Sequence, residues 1–181
     1  MADQYPQQAN QFKFQLCGFG PIAAAATTMQ LLAAKSASVV LQGIAGTYQT
    51  ERFPVGSATR FNHVICHGVG VDSGDQFTPA SELGWQQDPA IGDCLPCASS
   101  VASDCDLLTV CGAAESLAEA TTRLNKNPAT VGEDMEAFGV AIACQMQGID
   151  FEVIPGFSNI ADTGRKPTGE STKRYQRQST Y

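Results

Sequence analysis

The stretch FKFQLCGFGPIAAAATTMQLLAAK, followed by SVVLQGIAG, restricts the fold of this chain more than any other. FKFQLCGFG alternates apolar and polar side chains and ends on glycines, the pattern of a strand that stops in a tight turn. PIAAAATTMQLLAAK is rich in Ala and Leu, and Pro21 stands at a first helical position, where its missing N–H is no loss. SVVLQGIAG reads as a buried β-branched strand closing on glycine. Strand, helix, strand is the order from which α/β sheets are built.

The remaining segments extend that order. SATRFNHVICHGV is a further strand, entered through the turn around FPVG. Residues 71–106 are rich in Gly, Pro, Asp and Ser and form a long excursion with short helical pieces; no internal repeat marks a second domain. CDLLTVCG is a short strand, and AESLAEATTRLN a helix stopped by NKNP. EDMEAFGVAIACQMQG reads as a helix with an acidic first turn and Gly148 past its end, and IDFEVIPGFSN as a strand running into a polar turn. One α/β domain over residues 12–163 follows, with a disordered start at 1–11 and a polar tail at 164–181.

Charge narrows the function. A net charge of -7 and scattered Lys and Arg argue against nucleic acid and acidic membrane partners, which reward clustered cations. No apolar run reaches the roughly 18–20 residues of a membrane span. The 7 cysteines are an odd count without a leader-like start, which fits reduced thiols in a cytoplasmic protein. Cys94 and Cys97 form a C-x-x-C pair with no matching second pair, so a loop pair is expected in place of a metal or redox centre. Neither a metal nor an organic cofactor is expected.

Two polar residues at element ends carry the chemistry. Glu136 stands in an apolar stretch beside Met135 and Phe138, where a carboxylate is costly unless paired or used. A carboxylate accepts two hydroxyl hydrogen bonds, which suits adjacent hydroxyls of a sugar, and an amide such as Asn159 offers a donor and an acceptor to a heterocyclic base. Spacing alone leaves open a plainer pair of roles, a helix-start carboxylate and a turn amide. The glycine segments LCGFGPIAAA and LQGIAGTY could turn main-chain N–H groups towards a ligand, but neither is a phosphate loop. His63 and His67 suit packing or solvation, and GFSN at Ser158 lacks the second glycine of a nucleophile elbow.

Taken in order, LCGFGPIAAAATTMQLL, VVLQGIAG, FPVGSATRF, VGEDMEAFGVAIA and FEVIPGFSNIAD resemble the nucleoside phosphorylase and nucleosidase superfamily. HGVGVDSGDQFTPASELGW and the S-N pair at Ser158 and Asn159 are similar, within it, to the futalosine hydrolases of the alternative menaquinone pathway. The resemblance implies a three-layer nucleoside phosphorylase-like α/β fold with a mixed central sheet flanked by helices, here without the family's first strand and C-terminal helix. It implies a homo-oligomer that cleaves the N-glycosidic bond of a purine nucleoside, with futalosine as first substrate. Methylthioadenosine or adenosylhomocysteine nucleosidase, nucleoside phosphorylase, and an inactive nucleoside-binding relative are the alternatives.

By the same resemblance Glu136, with Met135 beside it, would hold the ribose 2′-hydroxyl and steady a cationic sugar. Asn159 would hydrogen-bond the purine near N7 and O6. Gly20, Ala45 and Gly46 would line the ribose and water pocket, and Gly112 and Ala114 the base side. Leu41 stands where the phosphorylases carry an Arg, so water is the expected nucleophile. The family's general-base Glu has no counterpart; Glu51, Asp72, Asp75 and Glu82 are loop carboxylates, none of them singled out by the sequence.

Overall fold

The computed structural model describes residues 13–33, 38–72, 77–89, 91–98 and 103–161. The expected start at 1–11, the tail at 164–181 and Asp75 lie outside these residues. Helix α1 spans Pro21–Leu32, β1 Val39–Leu41 and β2 Ile44–Thr47. Then come β3 His63–Cys66, the hairpin strands β4 Gly70–Asp72 and β5 Phe77–Pro79, a 3-10 helix Ala80–Leu83, and β6 Cys94–Pro96. The chain continues through β7 Asp106–Thr109, α2 Leu117–Lys126, β8 Thr130–Asp134, α3 Ala137–Gln147, β9 Phe151–Val153 and β10 Gly156–Ile160.

Six strands form one mixed sheet in the order β10-β2-β8-β7-β3-β6. The pairs β10–β2, β8–β7 and β7–β3 are parallel, while β2–β8 and β3–β6 are antiparallel. β1 and β9 make a separate parallel pair. The expected strands SVVLQGIAG and IDFEVIPGFSN are therefore each broken in two, at Gln42–Gly43 and at Ile154–Pro155. A proline has no N–H for the ladder, which accounts for the second break.

Three expectations are corrected. Residues 71–106, expected as an excursion with short helical pieces, carry strands β4, β5 and β6 beside the one 3-10 helix of the described residues, and β6 joins the main sheet. Residues 13–18 form no strand, and Phe14 and Leu16 are 80% and 92% exposed. Alternation supplies side chains for a sheet face but not the neighbouring ladder, and no described strand pairs with this segment. The acidic pair Glu133 and Asp134 does not open a helix. It ends the buried strand β8, and α3 starts three residues later than Asp134, at Ala137.

The core lies between the sheet and the α1–α3 pair. Val64, Leu107, Phe61, Phe157, Val140 and Cys144 are fully buried in one cluster. Helix α3 is apolar nearly all round, as a helix covered on several sides must be, and it lies against α1. No helix among the described residues is long and apolar enough to cross a membrane.

Candidate functional site

The carboxyl ends of β7 and β8 face the starts of α1 and α3, and Glu136 and Gly20 meet there. Asp134, the last residue of β8, sits below the start of α3. Its Oδ2 accepts from the N–H groups of Ala137 at 2.7 Å and Glu136 at 3.2 Å, and its Oδ1 from the Thr109 hydroxyl at 2.7 Å. Thr109 Oγ1 in turn accepts from the Phe138 N–H at 2.9 Å. Two side chains thus satisfy three of the orphan donors of α3. Burial pushes the Asp134 pKa up to about 7 against these hydrogen bonds, and the nearby Glu136 charge pushes the same way.

Because Asp134 and Thr109 supply the cap, Glu136 is released from that task. It occupies the N-cap position of α3 but makes no side-chain cap bond to it. Its Oε1 reaches across to α1 and accepts from the Gly20 N–H at 2.9 Å. The carboxylate therefore stands at the positive end of α1 as well as beside the start of α3. Gly20 adopts φ 82°, a left-handed conformation open to glycine, and this sets its N–H at the helix entrance. Glu136 is half-buried, and its Oε2 has no hydrogen-bond partner among the described residues. Met135, also half-buried, lies in the same strand-to-helix turn.

A second group lies in one row across three strands. Asn159 pairs with Gly46, and Gly46 with Glu133. Asn159 is exposed; its Oδ1 accepts from the Ser158 hydroxyl at 2.9 Å and its Nδ2 donates to the Ile160 carbonyl at 3.3 Å. A Cβ at Gly46 would lie 3.1 Å from Asn159 Nδ2, so glycine leaves the amide its room. Ala45 is buried beside it, and the Ser158 hydroxyl approaches its carbonyl at 3.5 Å.

Glu133 and Arg123 did not stand out in the sequence. Both are buried, at 4% and 7% exposure, and they pair at 2.5 Å. The Tyr48 hydroxyl donates to the same Glu133 oxygen. Burial, then the Glu133 charge, drives the Tyr48 pKa upward. The other Glu133 oxygen accepts from the Ala114 N–H at 2.7 Å, while Arg123 Nη2 donates to the Gly112 carbonyl at 3.0 Å and to Glu119 at 2.5 Å. Gly112 and Ala114 thus direct these polar groups to protein partners, and the turn between them is held by side chains from β8 and α2. The i,i+4 spacing of Glu119 and Arg123 was the one local signal for this network.

The remaining candidates lie apart. Leu41 is packed in β1 against the core, opposite Val153. Glu51 and Glu82 are exposed, in a turn after β2 and in the 3-10 helix. His63 Nδ1 lies 2.9 Å from Asp106 Oδ1, and the His67 ring lies 4.8 Å from that of Phe77; burial first, then the Arg123 and Lys126 charges, lowers the His67 pKa. All 7 cysteines are free, and burial pushes Cys97 up to about 12. Among the described residues no group of His, Cys, Asp and Glu could hold a metal ion. A shallow cleft of about 490 Å³ lies at the opposite sheet edge, between Arg52, Phe53, Arg60 and Cys105. Its arginines are already paired, with Asp104 and Glu152.

Solved nucleosidase structures share this arrangement of elements. The chain matches a 5′-methylthioadenosine/S-adenosylhomocysteine nucleosidase from Colwellia psychrerythraea, solved with adenine, at TM-score 0.66 and 20% identity, over 81% of this chain and 64% of that one. The nucleosidase from Neisseria meningitidis, in complex with methylthio-immucillin-A, gives 0.66 and 18% over 82% and 68%. That from Helicobacter pylori, with butyl-thio-DADMe-Immucillin-A, gives 0.68 and 17% over 90% and 72%.

This is the nucleosidase fold. The mixed sheet and flanking helices expected from the sequence are thereby established, with the chain spanning about two thirds of the nucleosidase length. No family model and no curated protein matches the sequence.

Proposed function

We propose that the protein is a purine nucleosidase, hydrolysing the N-glycosidic bond of a nucleoside of the methylthioadenosine or adenosylhomocysteine kind. The observation that carries this reading is the Glu136 carboxylate, anchored by the Gly20 N–H through one oxygen and without a described hydrogen-bond partner at the other. The second oxygen is suited to a ribose hydroxyl. As the bond to the base lengthens, the sugar gains positive charge, and a fixed carboxylate stabilises that state more than the neutral ground state. The base gains electron density at the same time, and the Asn159 amide, at the end of the row beside Gly46, suits a hydrogen bond to its N7. The two groups answer opposite charges developing on the two sides of one breaking bond.

Asn159 supports a second reading, a futalosine-type substrate. The methylthioadenosine enzymes that the sequence resembles usually carry an aspartate there, which can pass a proton to N7, whereas an amide donates a hydrogen bond and keeps its proton. An amide donor also suits O6 of a 6-oxopurine. Asn159→Asp is expected to shift preference from inosine or futalosine towards methylthioadenosine.

The test is incubation of the full chain with methylthioadenosine, futalosine and inosine in phosphate-free buffer, with free base followed by chromatography. Release that needs no phosphate and falls about 100-fold or more in Glu136→Gln, the scale of losing one transition-state electrostatic contact, supports hydrolysis. A dependence on added phosphate identifies a phosphorylase. Binding without release identifies a nucleoside-binding relative.

A further inference from the structure

Arg123 and Glu133 do more than pair with each other. The turn at 112–114 has no helix or strand of its own, and residues 111–113 are exposed. Its geometry depends on two hydrogen bonds from distant elements, Ala114 N–H to Glu133 at 2.7 Å and Arg123 to the Gly112 carbonyl at 3.0 Å. One guanidinium joins them, holding Glu133 through Nη1 and the turn through Nη2, with Glu119 fixing the same fork. Glu133 also begins the row that passes over Gly46 to Asn159, so the strand position that holds the turn lies two strand spacings, roughly 10 Å, from that of Asn159.

We propose that Arg123 and Glu133 are positioning residues for the purine ring: they fix the 112–114 turn relative to the strand row Glu133–Gly46–Asn159, and so its position relative to the Asn159 amide. The proposal rests on the purine nucleosidase reading and names the residues that set its fit to the base. A buried ion pair adds little net stability over apolar residues of the same volume, so what this pair contributes here is direction. A planar fork bonded to both the strand and the turn fixes an angle as well as a distance.

The experiment titrates the full chain, by calorimetry, with adenine and hypoxanthine as free bases and with C-glycosidic analogues of methylthioadenosine and inosine, which cannot be hydrolysed, as nucleosides. Arg123→Lys keeps the charge and loses the fork, and is expected to weaken free-base binding about tenfold while the ratio of nucleoside to free-base affinity stays within about twofold. Glu136→Gln is expected to do the converse, changing that ratio and sparing the free base. If Arg123→Lys fails to fold, judged by circular dichroism, Tyr48→Phe removes one donor to Glu133 and is expected to weaken the free base about threefold at constant ratio. Unchanged free-base affinity in a folded variant, or a ratio that moves with it, overturns the proposal and leaves the nucleosidase reading standing. A wild-type chain that binds neither bases nor nucleosides overturns both.

Discussion

Asp134 has its oxygens committed to Thr109, Ala137 and Glu136, yet burial pushes its pKa from the ordinary 3.8 up to about 7. Between about pH 4 and 7 the native state therefore holds a proton that the unfolded chain has lost. Stability from this group is full below about pH 4 and is lost as pH rises through about 7, on the order of 2–4 kcal/mol over the window. Asn in its place keeps an acceptor for the helix N–H groups and presents an amide donor to Thr109, as the protonated acid presents its hydroxyl. Asp134→Asn is expected to flatten the dependence of urea-unfolding midpoints on pH between 5 and 8. A dependence as steep as that of the wild type would show that Asp134 is not its source. Glu136, two residues on, was legible because an acid in an apolar run is conspicuous. Asp134 and Glu133 were misread because a buried strand ending in two acids looks locally like an exposed helix start, and their partners lie up to 85 residues away.

Helices α1 and α3 approach closely at Gly139, where an added Cβ would lie 2.2 Å from the Pro21 carbonyl oxygen and 3.0 Å from the Ala25 N. In an isolated helix Gly→Ala gains about 1 kcal/mol, but overpacking against rigid backbone costs about 1–3 kcal/mol, and a 2.2 Å approach to a carbonyl belongs at the upper end. Gly139→Ala is expected to destabilise the fold and, by moving α1, to draw the Gly20 N–H away from Glu136. A melting temperature raised by the alanine would contradict this account of the helix contact. Helix α2 depends on a different kind of tie: its buried residues are Ala120 and Arg123. Arg123→Met leaves Glu133 buried without its cation and is expected to cost about 3–5 kcal/mol, most of which Arg123→Met with Glu133→Leu recovers. Equal loss in the single and double variants, measured by urea unfolding, would rule out the unpaired charge as the cause. The order of helices and strands was legible from periodicity and glycine punctuation. The inward turn of Arg123 was not, because an arginine on an amphipathic helix is ordinarily solvated.

The candidate site belongs to the folded molecule as a whole: Gly20 opens α1, the 112–114 turn follows β7, Glu136 joins β8 to α3, and Asn159 lies in β10. Sequence order could suggest such a gathering at the carboxyl edge, but the antiparallel insertion of β2 beside β8, which sets Gly46 between Asn159 and Glu133, follows only from the sheet. Since residues so far apart are brought to one sheet edge only in the native state, a nucleoside bound as proposed would bind that state alone and stabilise it by mass action. At a free ligand concentration about 100 times Kd this amounts to about 2.7 kcal/mol. For a chain of 181 residues that converts to a rise in melting temperature of roughly 5–10 °C. Glu136→Gln, lacking the carboxylate proposed to face the sugar, is expected to lose most of the rise given by a nucleoside and to keep the smaller rise given by the free base. Scanning calorimetry of both proteins with a non-hydrolysable C-glycosidic analogue of methylthioadenosine and with adenine checks this, and the corresponding inosine analogue with hypoxanthine extends it to the 6-oxopurine reading. Equal shifts in wild type and variant with the nucleoside would mean that Glu136 does not face the sugar, and the assignment of this sheet edge to a glycosidic bond would fall with it.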